Sequence, residues 1–190
     1  MTREPASQAL RELAADLRIV LLDVDGVLTD GGIILIAQDL EAKRFDVKDG
    51  MGITLLRSAG LMVGIVTSRT SQVVQRRAEE LGIEELFQGV QRKPQVLDTL
   101  RERYGIEPSQ AAFVGDDIQD IPIMNRVGIA IAVQNATPEV KANSVYVTCA
   151  QGGHGAVREV AEWLLELRGD KERVYQSITG QEPVWKEPAR

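Results

Sequence analysis

The chain reads as an α/β protein: a parallel sheet covered by helices on both faces, in three α/β/α layers, with a small β-hairpin inserted after the first strand. Three observations predict this class. Short apolar runs bounded by turn residues recur at 19–22, 62–67, 111–114, 128–132 and 145–147. Helical patterns fall between them at 51–59, 71–82, 93–104 and 155–168, an alternation that builds a parallel sheet. The interior of the first run, Ile19-Val20-Leu21-Leu22, is apolar at every position, as in a strand buried on both faces.

Taken in order, Leu10, Leu13, Ala14 and Leu17 recur at helical spacing and predict an N-terminal helix over 5–17 that feeds the first strand. Gly31-Gly32 then opens the apolar run 33–37, and 38–41 turns into 42–47, which predicts a hairpin over about 33–47. A two-stranded ribbon leans only one face on its own domain, whereas 33–36 is apolar on both, so its outer face is expected against sister chains in a homo-oligomer. Leu86-Phe87-Gln88 adds a short strand. The tail over about 170–190 is charged and contains Pro183 and Pro188, which predicts partial disorder.

Length and composition bound the function. With 190 residues and 44% hydrophobic content the chain can bury one sizeable core, and a single domain over 1–190 is expected. A formal charge of −6 and a pI near 5.0 argue against a nucleic-acid or anionic-membrane surface. Cys149 is the one cysteine, which excludes an intramolecular disulfide and fits a reducing cytoplasm. No apolar stretch approaches the roughly 20 residues of a membrane span.

Chemistry concentrates where strands end. Asp23 and Asp25 stand two residues apart at the carboxyl end of the first strand, where open α/β sheets place their ligands, and both can address one small object such as a phosphate with a cation. Alone, Asp-x-Asp-Gly is equally an Asx turn leaving a strand. Thr67-Ser68-Arg69 follows the second apolar strand, where hydroxyls and free helix N–H groups make a neutral anion cradle; either hydroxyl residue could equally be a helix N-cap. Lys93 precedes Pro94 at a helix start, where the dipole disfavours a cation unless an anion is bound there. Asp116, Asp117 and Asp120 crowd the end of another buried strand, tolerable beside a hard cation such as Mg²⁺, with Asp120 expected as the structural member.

The order Asp23-Val-Asp25-Gly-Val, Thr67, Lys93, Gly115-Asp116-Asp117 resembles the four motifs of the haloacid dehalogenase superfamily of phosphotransferases, with its Rossmann-like fold. Over about 15–180 the likeness extends to the 3-deoxy-D-manno-octulosonate 8-phosphate phosphatase family. It is carried by Asp23 to Gly31, the hairpin in place of a large cap, Phe45-Asp-Val-Lys-Asp-Gly50 and Gly152-Gly-His-Gly-Ala-Val-Arg-Glu159. Two departures are Ser68, where that family usually has glycine, and His154, where arginine is commoner.

That resemblance implies a Mg²⁺-dependent phosphomonoester hydrolase of lipopolysaccharide precursor synthesis, working as a homotetramer in which a neighbour roofs each site. By it, Asp23 is the nucleophile, Asp25 the general acid and base, and Asp23, Asp116 and the Asp25 backbone carbonyl hold Mg²⁺. Thr67 and Lys93 hold phosphate oxygens, and Asp117 orients Lys93 or a metal-bound water. Ser68 joins the substrate side, and Arg69 and Lys48 are candidates to meet the carboxylate of a keto sugar acid. A nine-carbon keto sugar acid 9-phosphate is the alternative substrate. A phospho-accepting receiver domain and a noncatalytic tetramerisation module are the non-enzyme alternatives.

Overall fold

The computed structural model describes residues 7–37 and 40–181. Strand β1 (Ile19–Leu22) lies at the centre of a six-stranded parallel sheet with the order β5-β4-β1-β6-β7-β8, and all four of its residues are fully buried. The others are β4 (Met62–Val66), β5 (Glu85–Phe87), β6 (Ala111–Gly115), β7 (Ile129–Ala132) and β8 (Tyr146–Val147). Apolar runs with no polar face can only be satisfied by covering both sides, and the helices do this.

Helices α1 (Gln8–Asp16), α2 (Val47–Ser58), α7 (Ala156–Arg168) and α8 (Lys171–Thr179) pack together on one face. Beside α2 runs α3 (Gln72–Glu80), tied to it by the Arg57 guanidinium donating to the Leu81 carbonyl. On the opposite face α4 (Gln95–Tyr104) meets α5 (Ile121–Met124) through Arg126, which ion-pairs with Asp98, and α6 (Pro138–Ala142) follows. From β1 the chain moves outward to β4 and β5, then crosses back to β6 on the other side of β1. This reversal opens a crevice above the carboxyl ends of β1, β4 and β6.

The hairpin stands outside the sheet as β2 (Ile34–Ala37) paired antiparallel with β3 (Leu40–Ala42). Its second strand is shorter than the sequence suggests. Asp46 caps a helix by accepting from the Lys48 N–H at 2.8 Å, so α2 begins at Val47 and not near residue 51. Gly50 and Gly52 hide that start from periodicity. Ile33, Ile34, Leu35, Ile36 and Leu40 are all exposed.

The expected disorder of the tail is corrected over its first half. Gly169, at φ +70°, breaks α7, after which α8 folds back with Val174 fully buried and Tyr175 donating to Glu162. Residues 182–190, the start of the expected N-terminal helix at residue 5, and two residues of the hairpin turn lie outside the described residues. Short α5 and α6 carry too few turns to show a period. No helix among the described residues is long and apolar enough to cross a membrane.

One buried carboxylate fastens this frame. Asp49, in the first turn of α2 and 1% exposed, accepts from the N–H groups of Gly155 (3.2 Å) and Arg158 (3.1 Å), capping α7, whose own cap position is a glycine. Asp49→Ala strands both donors. A loss of about 1–3 kcal/mol is expected, with a smaller one for Asp49→Asn, whose amide oxygen still accepts. Thermal denaturation of the two variants checks this, and an unchanged Tm for Asp49→Ala contradicts it.

Candidate active site

Asp23 continues β1, its N–H donating to the Val114 carbonyl of β6 at 3.1 Å, and its side chain is almost fully enclosed at the crevice floor. The chain then turns sharply. The N–H groups of Val27, Leu28 and Thr29 converge on the Val24 carbonyl, and Gly26 adopts φ +95°. A Cβ at Gly26 would lie 2.0 Å from the Asp116 carboxylate, so glycine here is what lets that acid sit over the turn. The loop before α7 packs backbone to backbone on the same turn, since a Cβ at Gly152 would lie 1.6 Å from the Gly26 carbonyl oxygen.

Lys93 reaches in from the segment before α4 and is 2% exposed. Its ammonium lies 3.0 Å from Asp23 Oδ1 and 2.5 Å from Asp120 Oδ1, and 5.6 Å from the centre of the buried Phe113 ring. Asp120 is completely enclosed; its other oxygen accepts from the N–H groups of Asp116 (3.0 Å) and Asp117 (3.4 Å). Both oxygens of Asp120 are thus engaged, one with Lys93 and the other with the turn after β6. The residue that orients Lys93 is therefore Asp120. Asp117, expected in that role, is exposed and accepts from the Ile118 N–H.

Burial dominates the ionisation of this cluster. It pushes Asp23 up to about 7; the Lys93 ammonium opposes the shift and the Asp120 charge adds to it. Asp116 is likewise pushed up to about 7, first by burial and then by the charges of Asp23 and Asp120. Burial pulls Lys93 down, but Asp23 and Asp120 outweigh it and leave the ammonium above its ordinary value. Oxygens of Asp23, Asp116 and Asp120 lie within 4.8 Å of one another, and Asp116 Oδ1 is buried without a hydrogen-bond partner. With Asp120 committed to Lys93, Asp23 and Asp116 remain, an all-oxygen donor set that fits a hard divalent cation. The Asp25 carboxylate is not part of this trio.

Asp25 instead turns toward the hairpin. It ion-pairs with Lys43, whose side chain is 2% exposed, and its second oxygen lies 3.7 Å from Arg69 Nε. Arg69 also binds Glu41 at 3.2 Å, so Lys43, Asp25, Arg69 and Glu41 form one chain of alternating charge linking the hairpin to the loops after β1 and β4. Sequence reasoning missed Lys43 and favoured Lys48, which is exposed on the first turn of α2. The available signal was the period of two: Glu41 and Lys43 share one side of the returning strand.

Thr67 ends β4 buried, its hydroxyl accepting from the Arg69 N–H at 3.2 Å, and Ser68 donates to Gln119 at 3.1 Å. Neither caps the next helix. Ser71 does so, with α3 starting at Gln72. His154 sits at the rim, Nδ1 2.9 Å from the Gly152 carbonyl and Nε2 2.8 Å from the Arg44 guanidinium.

A pH dependence follows. The folded pKa values of Asp23 and Asp116 are raised above 3.8, so the stability these acids contribute is fully present below about pH 4 and is lost as pH rises through about 7. A cation requires both ionised and displaces the protons. In chelator-treated protein Tm should fall between about pH 5 and about pH 8, and Mg²⁺ should raise it most at the upper end. Calorimetry in matched buffers reads this; an increment that is equal at both ends or larger in acid contradicts it.

Comparison with known proteins bears on this site. Residues 85–159 match the model of the haloacid dehalogenase-like hydrolase family. The chain is 41% identical over 165 residues to the 3-deoxy-D-manno-octulosonate 8-phosphate phosphatase KdsC of Escherichia coli K12, covering 87% of this chain and 88% of that one. Among solved structures it is similar to the Moraxella catarrhalis phosphatase of the same name, crystallised with magnesium, phosphate and KDO (TM-score 0.86, 36% identity, 92% of this chain and 100% of that one). It is also similar to the cobalt-bound Haemophilus influenzae phosphatase (TM-score 0.80, 35% identity, 87% and 94%). With Asp23, Thr67, Lys93 and Asp116 on the carboxyl ends and loops of one sheet and this identity along most of its length, the chain belongs to the 3-deoxy-D-manno-octulosonate 8-phosphate phosphatase family of haloacid dehalogenase-like hydrolases.

Proposed function

We propose that the protein hydrolyses the phosphate ester of 3-deoxy-D-manno-octulosonate 8-phosphate through an aspartyl phosphate on Asp23, as a cytoplasmic step of lipopolysaccharide precursor synthesis. The observation that carries this reading is the enclosed Asp23 carboxylate fixed by Lys93, with the unpartnered Asp116 oxygen beside it. Asp23 attacks phosphorus while the ester oxygen departs with a proton from Asp25; water then attacks the acyl phosphate, giving its proton to Asp25 and restoring Asp23. Lys93 and Thr67 meet the equatorial oxygens of the transferring group. Asp23 and Asp116 would hold Mg²⁺, which would supply screening of the repulsion between the carboxylate and the phosphate. Arg69, half-exposed at the rim beside Asp25, meets the carboxylate of the sugar acid.

On the hairpin, Leu35 and Ile36 are 77% and 67% exposed. A homotetramer joined through these ribbons covers that apolar surface and finishes the site, in keeping with the family resemblance. Light scattering of Leu35→Asp/Ile36→Asp tests it: a smaller particle is expected, and an unchanged mass rejects the ribbon as the interface.

Asp23→Asn should abolish turnover while the fold persists, and Asp25→Asn should accumulate phosphoenzyme slowly. Lys93→Ala should lower kcat by about 10²–10³, because its contacts strengthen in the transition state. Steady-state kinetics with eight- and nine-carbon keto sugar acid phosphates check all three. Full activity in Asp23→Asn overturns the mechanism, and a tenfold or greater preference for the nine-carbon ester overturns the substrate. Stable phosphoenzyme without turnover in the unaltered protein favours a receiver role.

A further inference from the structure

Among the described residues Lys43 is the one cation the hairpin buries, and its partner is Asp25. An ammonium removed from water is unfavourable unless paired, and a lysine on a two-stranded ribbon can ordinarily snorkel to solvent. This one does not. It runs inward alongside Glu41, which holds Arg69 at 3.2 Å, and Arg69 in turn lies 3.7 Å from the other oxygen of Asp25. The Asp25 side chain remains 23% exposed, with one oxygen on Lys43 and the other 3.7 Å from Arg69. Asp25 lies on a sharp turn whose hydrogen bonds converge on the neighbouring Val24 carbonyl, and the two cations are the side-chain contacts that fix its direction.

We propose that Lys43 is a positioning residue for Asp25, setting the direction in which that carboxyl meets the departing ester oxygen. The proposal rests on the general-acid reading of Asp25 above. A grip that merely anchored the hairpin would not care which ester is cleaved. A grip that aims the acid matters when the leaving oxygen needs a proton, as in a sugar phosphate, and matters little when it departs as a stable anion, as in p-nitrophenyl phosphate.

Asp25 also takes the water proton when the phosphoenzyme is hydrolysed, a step common to every ester. The test therefore compares the single-turnover rate of phosphoenzyme formation, and KM, on a keto sugar acid phosphate and on p-nitrophenyl phosphate for the unaltered protein, Lys43→Met, Lys43→Arg and Asp25→Asn, each at matched particle mass. Removing an outer partner that orients a working group typically costs about 10–100-fold. Lys43→Met is expected to lose that much of the phosphoenzyme-formation rate on the sugar phosphate, with KM little changed and a loss at most a few-fold on the aryl ester; Lys43→Arg should recover most of it. Lys43→Gln replaces Lys43→Met if the latter does not assemble. Equal losses on both esters, or a change confined to KM, while Asp25→Asn keeps its selective loss, reduce Lys43 to an anchor and overturn the proposal. An Asp25→Asn variant in which phosphoenzyme formation slows equally with both esters removes the general-acid reading and the proposal together.

Discussion

The structure depends on one ammonium shared by two carboxylates. Lys93, enclosed at the end of the sheet, is held by Asp23 on one side and Asp120 on the other. Asp120 is needed to hold the lysine, the lysine to offset the charge on Asp23, and neither acid could be buried so deeply without it. Its parts come from three separate segments: Asp23 beyond β1, Lys93 just before α4, and Asp120 beyond β6, with β1 and β6 held side by side by the parallel ladder. The positive charge is still insufficient. Asp116 adds a carboxylate with a buried, unpartnered oxygen, and burial raises both it and Asp23 to about 7. A dication at Asp23 and Asp116 would offset that imbalance.

Backbone proximity gives the cluster its shape. The turn after β1, the segment after β6 and the loop before α7 meet where side chains cannot fit, at Gly26 and Gly152. Asp49 pins the same loop to α2 from the far side, so the hairpin, α2 and α7 are referenced to one point. The crevice therefore has a floor of close backbone contacts, and the ribbon is tied to it through Lys43, Asp25, Arg69 and Glu41.

Much of this was legible in the chain. Apolar runs without a polar face announced the parallel sheet, and acids, a hydroxyl and a lysine at run ends announced the crevice. What was hidden had physical causes. The start of α2 was obscured by Gly50 and Gly52, helices α5 and α6 are too short to show a period, and α8 is a charged segment buried through Val174. The division of labour between Asp117 and Asp120 could not be read, because it depends on which acid the turn after β6 directs inward. Lys43 was overlooked because its partner lies 18 positions away across the ribbon.

The ribbon alternates its side chains, with Glu41 and Lys43 facing inward and Ala42 between them, and its ladder already shifts between Leu35 and Ala37. Sliding β3 by a single position would present Ala42 and Arg44 to Asp25 in place of the charged pair. Length changes in this segment are thus quantised by parity: variation by even steps can preserve the inward set, whereas odd steps exchange it. The length of this segment is thereby tied to the site in a way that the length of a surface loop ordinarily is not.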